Sequence, residues 1–181
     1  MKPIIFEENG VRISIVEVSK NKVFRCGKCP SYSVDNCSLK KKVSDQQNPK
    51  ELICTEIVIV FANMTDRSVG IRSNYWEVVD TDGFSYGGYP LCELNIKPRT
   101  VDPDRWEITP GTQVRFSLAF PQLDDKTNIV ALIYSNRQVL GNSSARLYLR
   151  KPTKKVEALM LARAQYISDH KQNSKEQDKN M

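Results

Sequence analysis

Trp76-Glu77-Val78-Val79-Asp80-Thr81-Asp82-Gly83-Phe84-Ser85-Tyr86 is the stretch that decides the fold. Trp76, Val78 and Asp80 alternate with Glu77 and Val79, then run into Thr81-Asp82-Gly83, with Phe84 and Tyr86 beyond. Alternation at period two marks a strand. Asp-Gly between two such runs marks a hairpin, because glycine takes a positive φ without steric penalty. Gly87 and Gly88 end the second arm.

The same signal recurs on both sides. Val114, Phe116, Leu118 and Phe120 alternate with Gln113, Arg115, Ser117 and Ala119 behind the turn dipeptide Pro110-Gly111. Glu56 to Met64 and Ile129 to Tyr134 are apolar on both faces, as central strands are. Val11, Ile13 and Ile15 form a half-buried strand, and the phase then shifts to Val16 and Val18, which predicts a bulge. Arg105 to Thr109 is a short strand, and Leu147 and Leu149 close the β region. Nothing alternates strand with helix, so the expected class is all-β, an antiparallel sandwich. Its core should hold Val114, Phe116, Leu118 and Phe120 on one face, with Trp76 and Val58 or Val60 opposite. Residues 20–50 read as a long loop insertion, and 89–105 as irregular, broken by Pro90, Pro98 and Pro103.

The pattern changes at Pro152. Thr153 is placed to cap a helix over 154–167, with Val156, Leu159, Met160, the Arg163 stem and Ile167 at helical spacing. After Ile167 the chain is polar and is expected to fray. The division is therefore a sandwich over 1–150 and a helix with a polar tail over 151–181.

The chain has 181 residues and a net charge of +6, with 40% apolar and 27% charged residues, as an ordinary globular domain has. Residues 20–50 hold eight bases and two acids, and 150–181 hold eight bases and four acids. A mildly acidic body thus carries a basic insertion and a basic tail. Lys40, Lys41 and Lys42 are the densest basic run, a candidate contact for nucleic acid or another polyanion, or a solvated face. No apolar run approaches the ~20 residues of a membrane helix. No apolar stretch follows Met1, which suggests a cytoplasmic protein.

Three features together resemble the immunoglobulin-like domains of the DUF4352 type. These are the apolar strand ending Val60-Phe61-Ala62-Asn63-Met64-Thr65-Asp66, the Trp76 to Tyr86 hairpin, and Pro110-Gly111 before a strand ending Phe120-Pro121. The resemblance covers about residues 54–135. It implies an immunoglobulin-like sandwich, an extracellular or cell-envelope location as the alternative to the cytoplasm, and no catalytic residues. The Cys-containing insertion and the C-terminal helix depart from that type.

Cys26-Gly27-Lys28-Cys29 is a C-x2-C knuckle, followed by Cys37 and Cys54. Four thiolates make a tetrahedral site, so Cys26, Cys29, Cys37 and Cys54 are candidate ligands of a structural zinc ion; disulfides and free or redox thiols are the alternatives. Asp66, Asp80 and Asp82 are weaker cation candidates, since aspartates at these positions also make turns. Tyr75, Tyr86, Tyr89 and Trp106 are a candidate exposed recognition patch, with core burial as the alternative. Asn63-Met64-Thr65 and Asn142-Ser143-Ser144 are sequons that matter only in a secreted chain. His170 is the only histidine, and no nucleophile elbow, phosphate loop or dinucleotide fingerprint occurs. The expected function is non-enzymatic: a module that binds a protein partner or itself through its loops and C-terminal helix, with polyanion binding as the alternative.

Overall fold

The computed structural model describes residues 4–25, 51–88, 105–124, 126–141 and 143–177. The strands are β1 (Ile4–Glu8), β2 (Val11–Arg25), β3 (Glu51–Asn63), β4 (Val69–Arg72) and β5 (Trp76–Asp80), then β6 (Ser85–Gly87), β7 (Arg105–Ile108), β8 (Thr112–Pro121), β9 (Ile129–Tyr134) and β10 (Ala145–Tyr148). One sheet runs β1-β2-β3-β8, a second runs β10-β9-β5-β6, and β4 pairs with β7. All pairings are antiparallel. Helix α1 (Arg137–Leu140) joins β9 to β10, and helix α2 (Lys154–Gln177) follows. This is the expected antiparallel sandwich. β8 lies beside β3 in one sheet and β9 lies between β10 and β5 in the other, the order of an immunoglobulin-like sandwich.

Register decides the core. Ile57 lies opposite Leu118, Ile59 opposite Phe116 and Phe61 opposite Val114. Residues directly opposite share a face, so Ile57, Ile59 and Phe61 join Phe116, Leu118 and Phe120 inside. Val58 and Val60 therefore face the other way, a correction to the expected core. A strand that is apolar on both faces carries no phase of its own; the alternating partner β8 supplies it. Trp76 is fully buried on β5, its ring 4.4 Å from that of Tyr134 and 6.2 Å from that of Phe116.

Four elements differ from expectation. The loop expected over 20–50 is strand at both ends: β2 runs to Arg25 and β3 begins at Glu51, with Lys22 opposite Cys54 and Val23 opposite Ile53. The expected bulge at Val16 is present, and a second register shift between Ser19 and Lys22 hides the continuing alternation. β1 went unread. Its hairpin with β2 turns on Asn9 and Gly10 at φ 51° and 73°, the mirror-image turn that Asn-Gly favours. β4 also went unread. Finally, α2 continues past Ile167 to Gln177. Residues 26–50 and most of the segment 89–105 lie outside the described residues.

The cap of α2 is as expected: Val156 N donates to Thr153 Oγ1 at 3.3 Å, and Glu157 N donates to Thr153 O at 2.9 Å. Val156 and Met160 are buried against Val79, Val130 and Ala131, with Ile133 at the margin. The helix thus lies on the outer face of the second sheet, and Leu159 stays 46% exposed.

Candidate functional site

The outer face of the second sheet is built from cross-strand rows. Tyr148, Ala131, Val79 and Ser85 lie side by side in one, and Arg146, Ile133, Glu77 and Gly87 in the next. Val156 and Met160 cover Ala131 and Val79. The second row stays open along the helix flank. Between it, Leu159, Met160 and Arg163 of α2, and the β9–β10 connection lies a groove of about 460 Å³. That volume falls within the range of ligand pockets, about 300–1,000 Å³.

Two contacts hold the helix side. Arg163 Nη2 lies 2.9 Å from Glu77 Oε2, and Ser85 Oγ donates to the same oxygen at 3.0 Å. Gly83, at φ 91°, lets Leu159 approach the β5–β6 turn: a Cβ there would meet Leu159 Cδ1 at 2.7 Å. The hairpin itself is shaped by Asp80, which is buried. Its Oδ1 accepts from Asp82 N and Phe84 N, both at 2.9 Å, and its Oδ2 accepts from Tyr86 Oη at 2.9 Å. Burial, and then this bond to Asp80, pushes the Tyr86 hydroxyl pKa upward.

Asn136 holds the opposite wall. It is buried, its Nδ2 donates to Gly70 O at 2.9 Å and to Tyr134 Oη at 3.0 Å, and its Oδ1 accepts from Gln138 N at 3.0 Å, capping α1. Burial pushes the Tyr134 hydroxyl pKa upward as well. Asn136 thereby sets where Arg137 leaves the chain. Arg137 and Arg146 both line the groove, and among the described residues neither guanidinium has a hydrogen bond or ion pair. With Arg163 and Glu77 the lining carries three cations and one carboxylate.

The residues singled out in the sequence are distributed differently. Tyr75 lines the groove and packs edge-on against Tyr134 at 6.3 Å. Tyr86 is tied to Asp80, and Trp106 packs edge-on against Phe116 at 5.3 Å. These three rings are half-buried, each packed against the core, as the alternative reading has it. Tyr89, Lys40, Lys41, Lys42, Cys26, Cys29 and Cys37 lie outside the described residues. Cys54 is a free thiol, fully buried on β3, and burial followed by the nearby Glu56 pushes its pKa up to about 12. Of the cation candidates, Asp80 has both oxygens committed to the hairpin. Asn63 of the first sequon is buried, its amide donating to Arg67 O at 2.8 Å and Ile108 O at 2.9 Å, so the side chain shapes a turn. Asn142 of the second sequon lies outside the described residues.

Of the groove's arginines, the sequence singles out Arg163 by its stem, and neither Arg137 nor Arg146. The three come from three elements and form no linear motif. Among the described residues no helix is long and apolar enough to cross a membrane.

No family model and no curated protein matches the chain. Solved structures similar to it include the yjhA protein of Bacillus subtilis, at 12% identity over 80% of this chain and 95% of that one, with a TM-score of 0.46. A protein of Listeria monocytogenes described as functionally unknown is 14% identical over 83% of this chain and 82% of its own, with a TM-score of 0.48. The secreted protein MPT63 of Mycobacterium tuberculosis is 12% identical over 83% and 92%, with a TM-score of 0.40. At these identities and scores no function passes from them to this chain, and the fold rests on the strand order above.

Proposed function

We propose that this chain is a non-enzymatic binding module and that it takes a segment of a protein partner in the groove beneath α2. The observation that carries this reading is a concave site with fixed walls and uncommitted polar groups. Helix, hairpin and β9–β10 connection are each held by bonds of their own, while Arg137 and Arg146 have none. Preformed walls cut the ordering cost of binding. Among the described lining residues the one carboxylate, Glu77, is engaged by Arg163 and Ser85, so the lining offers no pair of carboxylates for acid–base work. Membership of the DUF4352 type, with an envelope or extracellular location, is part of the same proposal and is supported by the quoted motifs alone. The zinc site rests on Cys26, Cys29, Cys37 and Cys54, and the polyanion reading on the basic 20–50 insertion together with the basic tail.

The test is peptide-library panning on the native protein and on S135W. Ser135 is exposed and lines the groove, so a tryptophan there fills it. Enriched peptides should bind the native chain and lose at least about tenfold in affinity, about 1.4 kcal/mol, on S135W. Unchanged melting of S135W establishes that its fold is intact. Enriched peptides indifferent to S135W, or none at all, would remove the groove as the binding site.

A further inference from the structure

We infer that the groove reads carboxylates, with Arg137 and Arg146 selecting an acidic segment of the partner. This rests on the groove being the binding site, and it adds the chemistry that chooses the ligand. Of the three guanidiniums in the lining, Arg163 is already neutralised by Glu77 at 2.9 Å. Arg137 and Arg146 are not neutralised, and they enter from different elements: α1 and the sheet edge strand β10. An exposed arginine without a partner is unremarkable by itself. Two of them meeting in one concavity, over a floor that includes Ile133 and Met160, is a different situation. Apolar surface beside a guanidinium strengthens its attraction for a carboxylate once a bound ligand covers both, and the planar fork can hold both its oxygens.

The occupant follows from the same lining. Net charge in the groove is positive, although residues 1–19 and 51–149 together are net negative. The positive lining therefore attracts anions although the sandwich residues around it are net negative. Ile133, Leu159 and Met160 offer apolar surface next to the charges, which suits a carboxylate flanked by apolar side chains better than a bare anion. An acidic peptide with interleaved leucines has both parts.

The experiment is a titration of isotope-labelled full-length protein, followed by amide chemical shifts. The probes are an eight-residue peptide alternating leucine and glutamate, its glutamine counterpart, and inorganic phosphate. The acidic peptide should shift amides in 133–146 and 159–163, and its affinity should fall about tenfold in R146Q and further in R137Q/R146Q, while both variants keep their melting temperature. Affinity should also fall as salt rises. Equal binding of the glutamine counterpart, unchanged affinity in R137Q/R146Q, or shifts confined to other surfaces would overturn the inference. Phosphate reproducing the shifts at equal affinity would overturn the choice of a peptide in favour of a free anion. Library peptides that are sensitive to S135W but carry no carboxylate would remove the charge reading and leave the binding module standing. No peptide sensitive to S135W would remove both.

Discussion

Arg163 of α2 and Glu77 of β5 form an ion pair at 2.9 Å that ties the helix flank to the sheet and closes one side of the groove. Neither partner is deeply buried, with the side chains 44% and 30% exposed. Exposed pairs contribute about 0.2–1 kcal/mol, because solvent screens the charges and long side chains lose freedom. A double-mutant cycle of R163A and E77A in urea unfolding should give a coupling energy in that range. Amide exchange over 154–163 should quicken in either single variant. A coupling above about 2 kcal/mol would show that the pair is desolvated.

Asp80 should matter more than its polar character suggests. It is buried and accepts three hydrogen bonds, each from a donor of the β5–β6 hairpin. D80A leaves those donors without their acceptor and should cost about 3 kcal/mol. D80N should cost roughly half as much: one amide oxygen can still serve both backbone N–H groups, and its NH2 can donate to the Tyr86 oxygen. Urea midpoints of the two variants check the order, and equal losses would contradict this account.

The phase of β3 is open to a simple comparison. Ile59 is fully buried in the core opposite Phe116, and Val60 is half-buried on the other face. I59A should lose about 2–5 kcal/mol and V60A less than about 1.5 kcal/mol, measured by thermal or urea unfolding. Reversal of that order would restore the core in which Val58 and Val60 point inward.

These cases show what can be read from the sequence. β8 was legible because it is half-buried, and half-burial writes alternation into the residues. β3 is buried on both faces for much of its length, so its existence was legible and its phase was not. The β2 extension was hidden by the second register shift, since Lys20 and Asn21 break the period. Past Ile167 the helix carries polar residues such as Asp169, Lys171 and Glu176. Periodicity reads an apolar stripe, and a run of polar residues gives no such signal. For the groove, Tyr75 and the Arg163 stem were visible as residues of interest. Arg137 and Arg146 become neighbours only through pairing of β10 with β9 and through the Asn136 cap. Local patterns do not encode such long-range juxtapositions.

Cys54 should make the protein labile to alkali. Its thiol is held protonated, with the pKa raised from 9.0 to about 12, chiefly by burial. Between those values the native chain binds a proton that the unfolded chain has released. Stability from this group is thus full below pH about 9 and falls as pH rises through the window to about 12. The loss at pH 10 should be about 1.4 kcal/mol, and C54A should remove that part of the slope in urea unfolding. In the native protein at pH 8, alkylation followed by peptide mapping should leave Cys54 unmodified until denaturant is added. Rapid native alkylation of Cys54 would show that the thiol is accessible and ionises readily.

Gly83 and Leu159 offer the sharpest test of how the helix seats on the sandwich, because two separate penalties meet at one glycine. The first is local. Gly83 has φ 91°, where an L side chain is strained whatever surrounds it, so G83A should cost about 1–2 kcal/mol from the backbone alone. The second is long-range: the new Cβ would lie 2.7 Å from Leu159 Cδ1, so the leucine must move or the helix must lift. L159A removes that clash and, being at a half-exposed site, should itself cost only about 1 kcal/mol or less. The double variant G83A/L159A should then be more stable than the sum of the two single losses predicts, by the steric part alone, about 0.5–1.5 kcal/mol. Its remaining deficit against L159A should equal the backbone part. Amide exchange over 154–163 should rise in G83A and return toward the native rate in the double variant. Strict additivity, with no change in helix exchange, would mean that Leu159 does not sit over the turn.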